Sequence, residues 1–259
     1  MKSRWINLAS FGVLLLVWFA ITAPLVGGKP LVAPLFLPSP LSVADTFMTL
    51  MKNGYQGKSL AYHLGISLFR FGVGFAITVL VAVPIGLWMG MNETIKAVLD
   101  PPIEITRPMP KLALLPLLII WFGIGEVAKI VIIVLALFPI LSISAMQAVR
   151  GVGRRKVQAA MALGASRAMI FRRVIFPASL PGIFTSIRVS IGIGVTMLVG
   201  AEMIATTAGI AWMAMSASDF LLTNVVIVGA LIMAVLGYGL DLIARALEDR
   251  VVHWGGKEG

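Results

Sequence analysis

Residues Gln158–Gly182 read QAAMALGASRAMIFRRVIFPASLPG. Arg167, Arg172 and Arg173, a central Gly164, and Pro177 with Pro181 set this segment apart from the strongly apolar stretches on either side. Lys156–Met169 contains no proline and is rich in Ala, Met and Leu, so propensity predicts a helix there. Ala159, Ala160, Leu163 and Ser166 or Arg167 recur at helical spacing along one face. Gly164 costs that helix about 1 kcal/mol against alanine, which makes sense where the chain bends or a partner surface comes close. Pro177 and Pro181 are expected to end the polar segment and lead into the next apolar run.

The surrounding chain explains why such a segment stands out. Of 259 residues, 59% are hydrophobic and 12% are charged. An average soluble domain is about 45–50% apolar and about 25% charged, so most of this chain is solvated by lipid. There is no cysteine, which removes disulfides, thiolate nucleophiles and Cys-type zinc sites.

A helix needs about 20 apolar residues to cross about 30 Å of hydrocarbon. Six spans are expected, near Leu8–Leu25, Leu64–Met91, Lys111–Phe122 with a proline-broken entry, Val127–Val149, Leu180–Ala205 and Leu222–Leu247. The first is read as an uncleaved helix, because its apolar run is long for a signal peptide and Pro24 follows the one small-residue cleavage candidate. Pro108, Pro110 and Pro116 interrupt the third, and a broken helix at membrane depth must be covered by protein or line a water-filled path.

The net charge of +10 follows from topology. With the N-terminus inside, fifteen basic residues fall in cytoplasmic segments: Lys2, Arg4, Lys96, Arg107, Lys111, Arg150, Arg154, Arg155, Lys156, Arg167, Arg172, Arg173, Arg245, Arg250 and Lys257. Only Lys29, Lys52, Lys58 and Lys129 fall outside. Both termini and the Gln158 segment are therefore expected in the cytoplasm, and no nucleic-acid partner is needed. The outer loop carries Pro30, Pro34, Pro38 and Pro40, and Ser42 is expected to cap a short amphipathic helix at the outer interface. Gly86 and Gly90 make a small-xxx-small pair suited to close helix packing. No internal repeat is evident, and residues 1–259 read as one transmembrane domain: 1–62 hold the first span and the outer segment, and 63–250 the core spans, with a cytoplasmic loop at 150–177.

No catalytic or metal constellation emerges. Gly57-Lys58-Ser59 resembles the end of a phosphate-binding loop, but the required first glycine is Lys52. His63 and His253 are the two histidines, one near a membrane boundary and one in the tail. A chain of this kind that uses ATP must borrow the protein that binds it.

The spacing of the opening segment resembles the EAA loop of ABC-importer permeases, which runs Glu-Ala-Ala, three residues, Gly, nine residues, Ile-x-Leu-Pro. Here it reads Gln158-Ala159-Ala160, Gly164 and Val174-Ile175-Phe176-Pro177, with Gln158, Val174 and Phe176 as departures. Arg107-Pro108-Met109-Pro110, Trp121-Phe122-Gly123-Ile124-Gly125-Glu126, Leu163-Gly164-Ala165-Ser166 and Ala201-Glu202 extend the resemblance to the nitrate/sulfonate/taurine branch, and most to its taurine and aliphatic sulfonate permeases. Val195 stands where many of these relatives carry tryptophan, and Ala211 replaces a glycine of their turn.

That resemblance implies an all-α, six-span type I importer permease of the bacterial inner membrane. Two copies would work with two copies of an ABC ATPase and with a periplasmic or lipid-anchored substrate-binding protein. No cofactor would be held by this chain, since ATP and Mg belong to the ATPase. It makes residues 156–173 the coupling helix, with Gln158, Ala159, Ala160, Leu163, Gly164, Ala165, Ser166 and Arg167 as ATPase-docking residues. Arg70, Arg188, Val195 and Glu202 become candidates for the substrate pathway. For the charged three the alternatives are structural: snorkelling for Arg70, and internal ion pairs for Arg188 and Glu202. Taurine or a related small sulfonate is the implied substrate, with nitrate or a thiamine-precursor pyrimidine as alternatives. An ion-coupled secondary transporter is the alternative from a different class. It would call for inverted repeats and paired broken helices, whereas the sequence has one broken span and no repeat.

Overall fold

In the computed structural model, residues 2–24, 30–204 and 206–254 are described. Leu25, Lys29, Ala205 and Lys257, which entered the expected spans and the charge bias, lie outside them. The described chain forms eleven α-helices and no β-strand: α1 (Lys2–Thr22), α2 (Pro40–Asn53), α3 (Leu60–Met91), α4 (Glu93–Thr106), α5 (Leu115–Phe122), α6 (Glu126–Arg150), α7 (Arg154–Ala162), α8 (Arg167–Ile170), α9 (Phe176–Glu202), α10 (Ile210–Asp219) and α11 (Thr223–Val251).

Among the described residues, four helices are long and apolar enough to cross a membrane, α3, α6, the continuous helix Arg167–Glu202 and α11, and a bent pair makes up to five. That pair, Glu93–Thr106 and Lys111–Phe122, is the third expected span with its proline-broken entry, bent by 87°. Within α1 the apolar stretch open to description is Gly12–Thr22, part of the expected first span. Pro108 and Pro110 account for the bend, since neither can donate to a helical ladder. The carbonyls left at the end of α4 are taken by a side chain: Lys111 Nζ donates to Thr106 O, to Arg107 O at 3.0 Å and to Met109 O at 3.1 Å. A lysine on a helix C-terminus also meets the negative end of the helix dipole.

Contacts group the chain into two units, residues 1–67 with 206–234, and residues 68–205 with 235–259. In the first, α2 starts earlier than expected. Ser39, not Ser42, is its N-cap and accepts from Ser42 N–H at 3.2 Å, while Pro40 fills the first helical position, where a missing N–H costs nothing. His63 is fully buried, and its Nδ1 accepts from Gly209 N–H at 3.2 Å. Nε2 therefore carries the proton and faces Tyr55 O at 3.3 Å. The ring stacks on Trp212 at 5.6 Å, so the histidine is a packed, neutral strut between two loops.

In the second unit α6 is the central helix, with Ile132, Ile133, Leu137 and Leu141 buried. Small residues let other helices reach it. A Cβ on Gly86 would strike Ser142 O and lie 2.7 Å from Ala145 Cβ, and one on Gly90 would lie 2.6 Å from Val149 Cβ. On α9, a Cβ on Gly194 would sit 2.8 Å from the Phe71 ring. Dispersion at these contacts holds helices together where lipid supplies no hydrophobic drive.

Pro177 and Pro181 do not end a segment; α9 runs through both. The turn Phe171–Ile175 is a π-helix, in which Phe176 N–H reaches Phe171 O. The wider turn takes up the register lost where Pro177 has no N–H, so α8 and α9 join in one 36-residue helix.

Candidate functional site

The polar segment, expected as a helix that Gly164 interrupts, folds as two helices with an elbow between them. α7 ends at Ala162, Gly164 takes φ +77°, Gly164 N–H bonds Met161 O at 2.9 Å, and Ala165 N–H bonds Ala160 O at 3.1 Å. This pair of bonds is a Schellman C-cap, which requires the left-handed glycine. Ser166 then caps α8, its Oγ accepting from Met169 N–H at 3.3 Å. The run Leu163-Gly164-Ala165-Ser166 is thus a stop and a start placed back to back.

The elbow divides the candidate docking residues. Leu163 stands at its tip with 88% of its surface exposed, and Gln158, Ala159, Gly164, Ser166 and Arg167 are also exposed. Ala160 and Ala165 instead pack inward against the buried cluster Val149, Ile170 and Ile175. The exposed apolar surface is completed by Met161 and Met169, which the spacing argument passed over. Their signal was an apolar side chain in a segment otherwise facing water. A groove of about 350 Å³ runs beside Leu163, Met169 and Arg173, and Arg167 lies in a different groove with α3. An exposed leucine between two methionines, ringed by cations, is suited to a hydrophobic cleft with an acidic rim.

Of the charged pathway candidates, Arg70 and Glu202 meet and Arg188 lies apart. Arg70 does not snorkel; it is buried, 1% exposed, and saturated by carboxylates. Its Nε and Nη2 fork onto Glu126 at 2.5 and 2.9 Å, and its Nη1 donates to Glu202 at 2.9 Å. Lys129, counted as an outer-loop charge from the sequence, is also buried and donates to Glu126 at 3.2 Å. Two cations and two carboxylates from α3, α6 and α9 thus neutralise one another. Arg188 lies fourteen residues before Glu202 on α9, about 21 Å at helical rise. It ties α9 to α11 through Asp241 at 3.0 Å and Glu248 at 3.2 Å. Asp241 and Glu248 share a face of α11 because they are two turns apart. Val195 also faces α11, near Gly237. The exposed face of α9 carries Thr185, Val189, Gly192 and Thr196, with no charge. Among the described residues no group of His, Cys, Asp and Glu could hold a metal ion.

A bent helix pair, close-packed core helices and an exposed elbow between apolar helices make this a helical membrane protein. Residues 82–253 match the model of the binding-protein-dependent transport system inner membrane component family, and the chain belongs to that family. Membership makes it the membrane component of a transport system whose other parts are a binding protein and an ATPase. It is 40% identical to the taurine transport system permease protein TauC of Escherichia coli (strain K12) over 265 residues, 99% of this chain and 94% of that one. It is 35% identical over 242 residues to the permease protein SsuC of Bacillus subtilis (strain 168), named for aliphatic sulfonates transport, covering 93% and 84% of the two chains. A chain of the MetNI methionine ABC transporter in inward facing conformations shares the fold, with TM-score 0.58 and 18% identity over 72% of this chain and 95% of that one.

Proposed function

We propose that this chain carries taurine or a related small sulfonate inward across the bacterial inner membrane, with both termini and the α7–α8 elbow in the cytoplasm. The observation that carries the reading is the elbow itself: an exposed Leu163 on a glycine-capped turn. The 40% identity to a taurine permease over nearly the whole chain supports the substrate class.

In this reading the chain works as two copies with two ATPase copies and an external binding protein. α5 supports the second copy, because it presents Leu117, Ile120 and Trp121 as an exposed apolar surface. ATP-driven closure of the ATPase pair moves the elbows, and the elbows move the 36-residue helix with which each is continuous. The neutralised Arg70 cluster and the Arg188 pairs act as fixed joints. The substrate passes the uncharged Thr185–Thr196 face of α9, and specificity comes chiefly from the binding protein.

Two measurements test this. The tagged chain should co-purify with an ATPase subunit, and Gly164→Trp should abolish both that capture and uptake. The partner binding protein should bind taurine; nitrate binding without sulfonate binding would replace the substrate assignment. Because the chain has no native cysteine, single cysteines at Asp45 and Arg155 read the orientation directly, with labelling of Asp45→Cys alone from outside expected.

A further inference from the structure

α3 ends at Met91 and the charged α4 opens at Glu93, so the last turns of α3 mark an apolar–polar boundary. Trp88 lies in those turns with 61% of its surface exposed, as aromatic side chains do at a membrane interface. Beside it is a groove of about 450 Å³ walled by Pro84, Leu87, Trp88, Met91 and Phe171. Among the described residues of its wall, Arg167 at the start of α8 is the charged one.

The elbow itself carries charge of a single sign, and the nearest acidic side chain beyond α3, Glu93, pairs with Arg150 at 2.8 Å. No acidic residue occurs between Glu126 and Glu202, a stretch that includes the whole elbow. Arg154, Arg155, Lys156, Arg167, Arg172 and Arg173 are all exposed, and among the described residues no carboxylate pairs with Arg167, Arg172 or Arg173. An apolar groove closed by one unpaired guanidinium fits an amphiphile with an acyl chain and an anionic head. A second copy of this chain would bring an equally cationic elbow against it. An ATPase engaging the Leu163 tip addresses the other groove.

We propose that this groove binds an anionic phospholipid, with an acyl chain against Trp88, Met91 and Phe171 and the phosphate on Arg167. Basic segments are drawn to the anionic cytoplasmic leaflet, each Lys or Arg adding about a fivefold preference. The bound lipid bridges α3 and α8 and so fixes one side of the elbow. The assignment rests on the orientation proposed above only in choosing the leaflet.

The test uses the full chain purified with its ATPase, stripped of lipid and offered phosphatidylglycerol or phosphatidylcholine of equal chain length, with bound lipid counted by native mass spectrometry. Wild type should retain phosphatidylglycerol about fivefold better. Arg167→Gln should lose that preference, Arg167→Lys should keep most of it, and Trp88→Ala should weaken retention of both lipids. Gly164→Trp should lose the ATPase and keep the lipid. If wild type captures no ATPase yet prefers phosphatidylglycerol, the coupling assignment fails and the lipid site stands. Equal retention of the two lipids by wild type overturns the proposal. So does an Arg167→Gln variant that keeps the preference, or one that loses only the ATPase, which would give the groove to that partner.

Discussion

Arg70 Nη1 and Glu202 Oε1 meet at 2.9 Å across 132 residues of sequence, and neither side chain is reached by solvent. The pair joins α3 to the last turn of α9 and shares its guanidinium with Glu126 at the start of α6. A group so fully engaged is a joint between helices before it is anything else. An arginine waiting for an anion from outside would have an open side, and the carboxylates occupy this one.

Breaking the joint should show in stability. Glu202→Gln leaves Arg70, Lys129 and Glu126 with one uncompensated positive charge, a change that costs about 3 kcal/mol or more. Arg70→Lys keeps the charge but loses the fork onto Glu126 and should destabilise as well. Thermal melting of the purified protein in detergent reads both. Unchanged melting with lost uptake would return the pair to the substrate pathway.

The elbow should separate folding from coupling. Leu163→Ala removes a side chain that is almost wholly exposed, so melting should be unchanged while ATPase capture falls. Gly164→Ala places a Cβ on a residue at φ +77° and should strain the turn by about 1–2 kcal/mol. Pull-down of the ATPase alongside melting distinguishes the two; equal capture by wild type and Leu163→Ala would remove the tip from the interface.

Two glycines of α3 should respond in opposite directions. Gly86→Ala meets Ser142 O and Ala145 and should cost about 1–3 kcal/mol through overpacking. A methyl group on Gly72 would have no neighbour within 4 Å, so Gly72→Ala should be neutral or stabilising by up to about 1 kcal/mol from helix propensity. Melting temperatures of the pair check the close approach of α3 to α6.

Lys111→Met should loosen the bend. Its ammonium holds the Thr106, Arg107 and Met109 carbonyls, and leaving acceptors unmet costs about 1–3 kcal/mol each where water does not replace the donor. Faster hydrogen exchange confined to residues 104–116 is the expected result. A uniform change along the chain would argue against a local cap.

Much of this was readable in one dimension because membrane solvent imposes one-dimensional rules. Apolar length and the placement of prolines located α3, α6, α9 and α11 to within a few residues, and marked the third span as broken. Gly164 and the alanines around it showed where the chain bends. Pro177 misled, since the π turn that absorbs it depends on a backbone register that composition does not reveal. The Ser42 cap misled for a simpler reason: Ser39 before Pro40 is the better N-terminus.

By itself, then, the sequence determined that this is a helical membrane chain with an elbow between spans, because hydropathy, charge bias and glycine or proline placement act locally. Only the tertiary structure decided what Arg70, Lys129, Arg188 and Glu202 do, because a buried charge is defined by its partner. Lys129 has Glu126 three residues away on its own helix, but the partners of Arg70, Arg188 and Glu202 lie on other helices, at distances along the chain that no spacing rule connects. It likewise decided that Ala160 faces inward while Leu163 faces out, since a Schellman turn redirects the chain within a single residue.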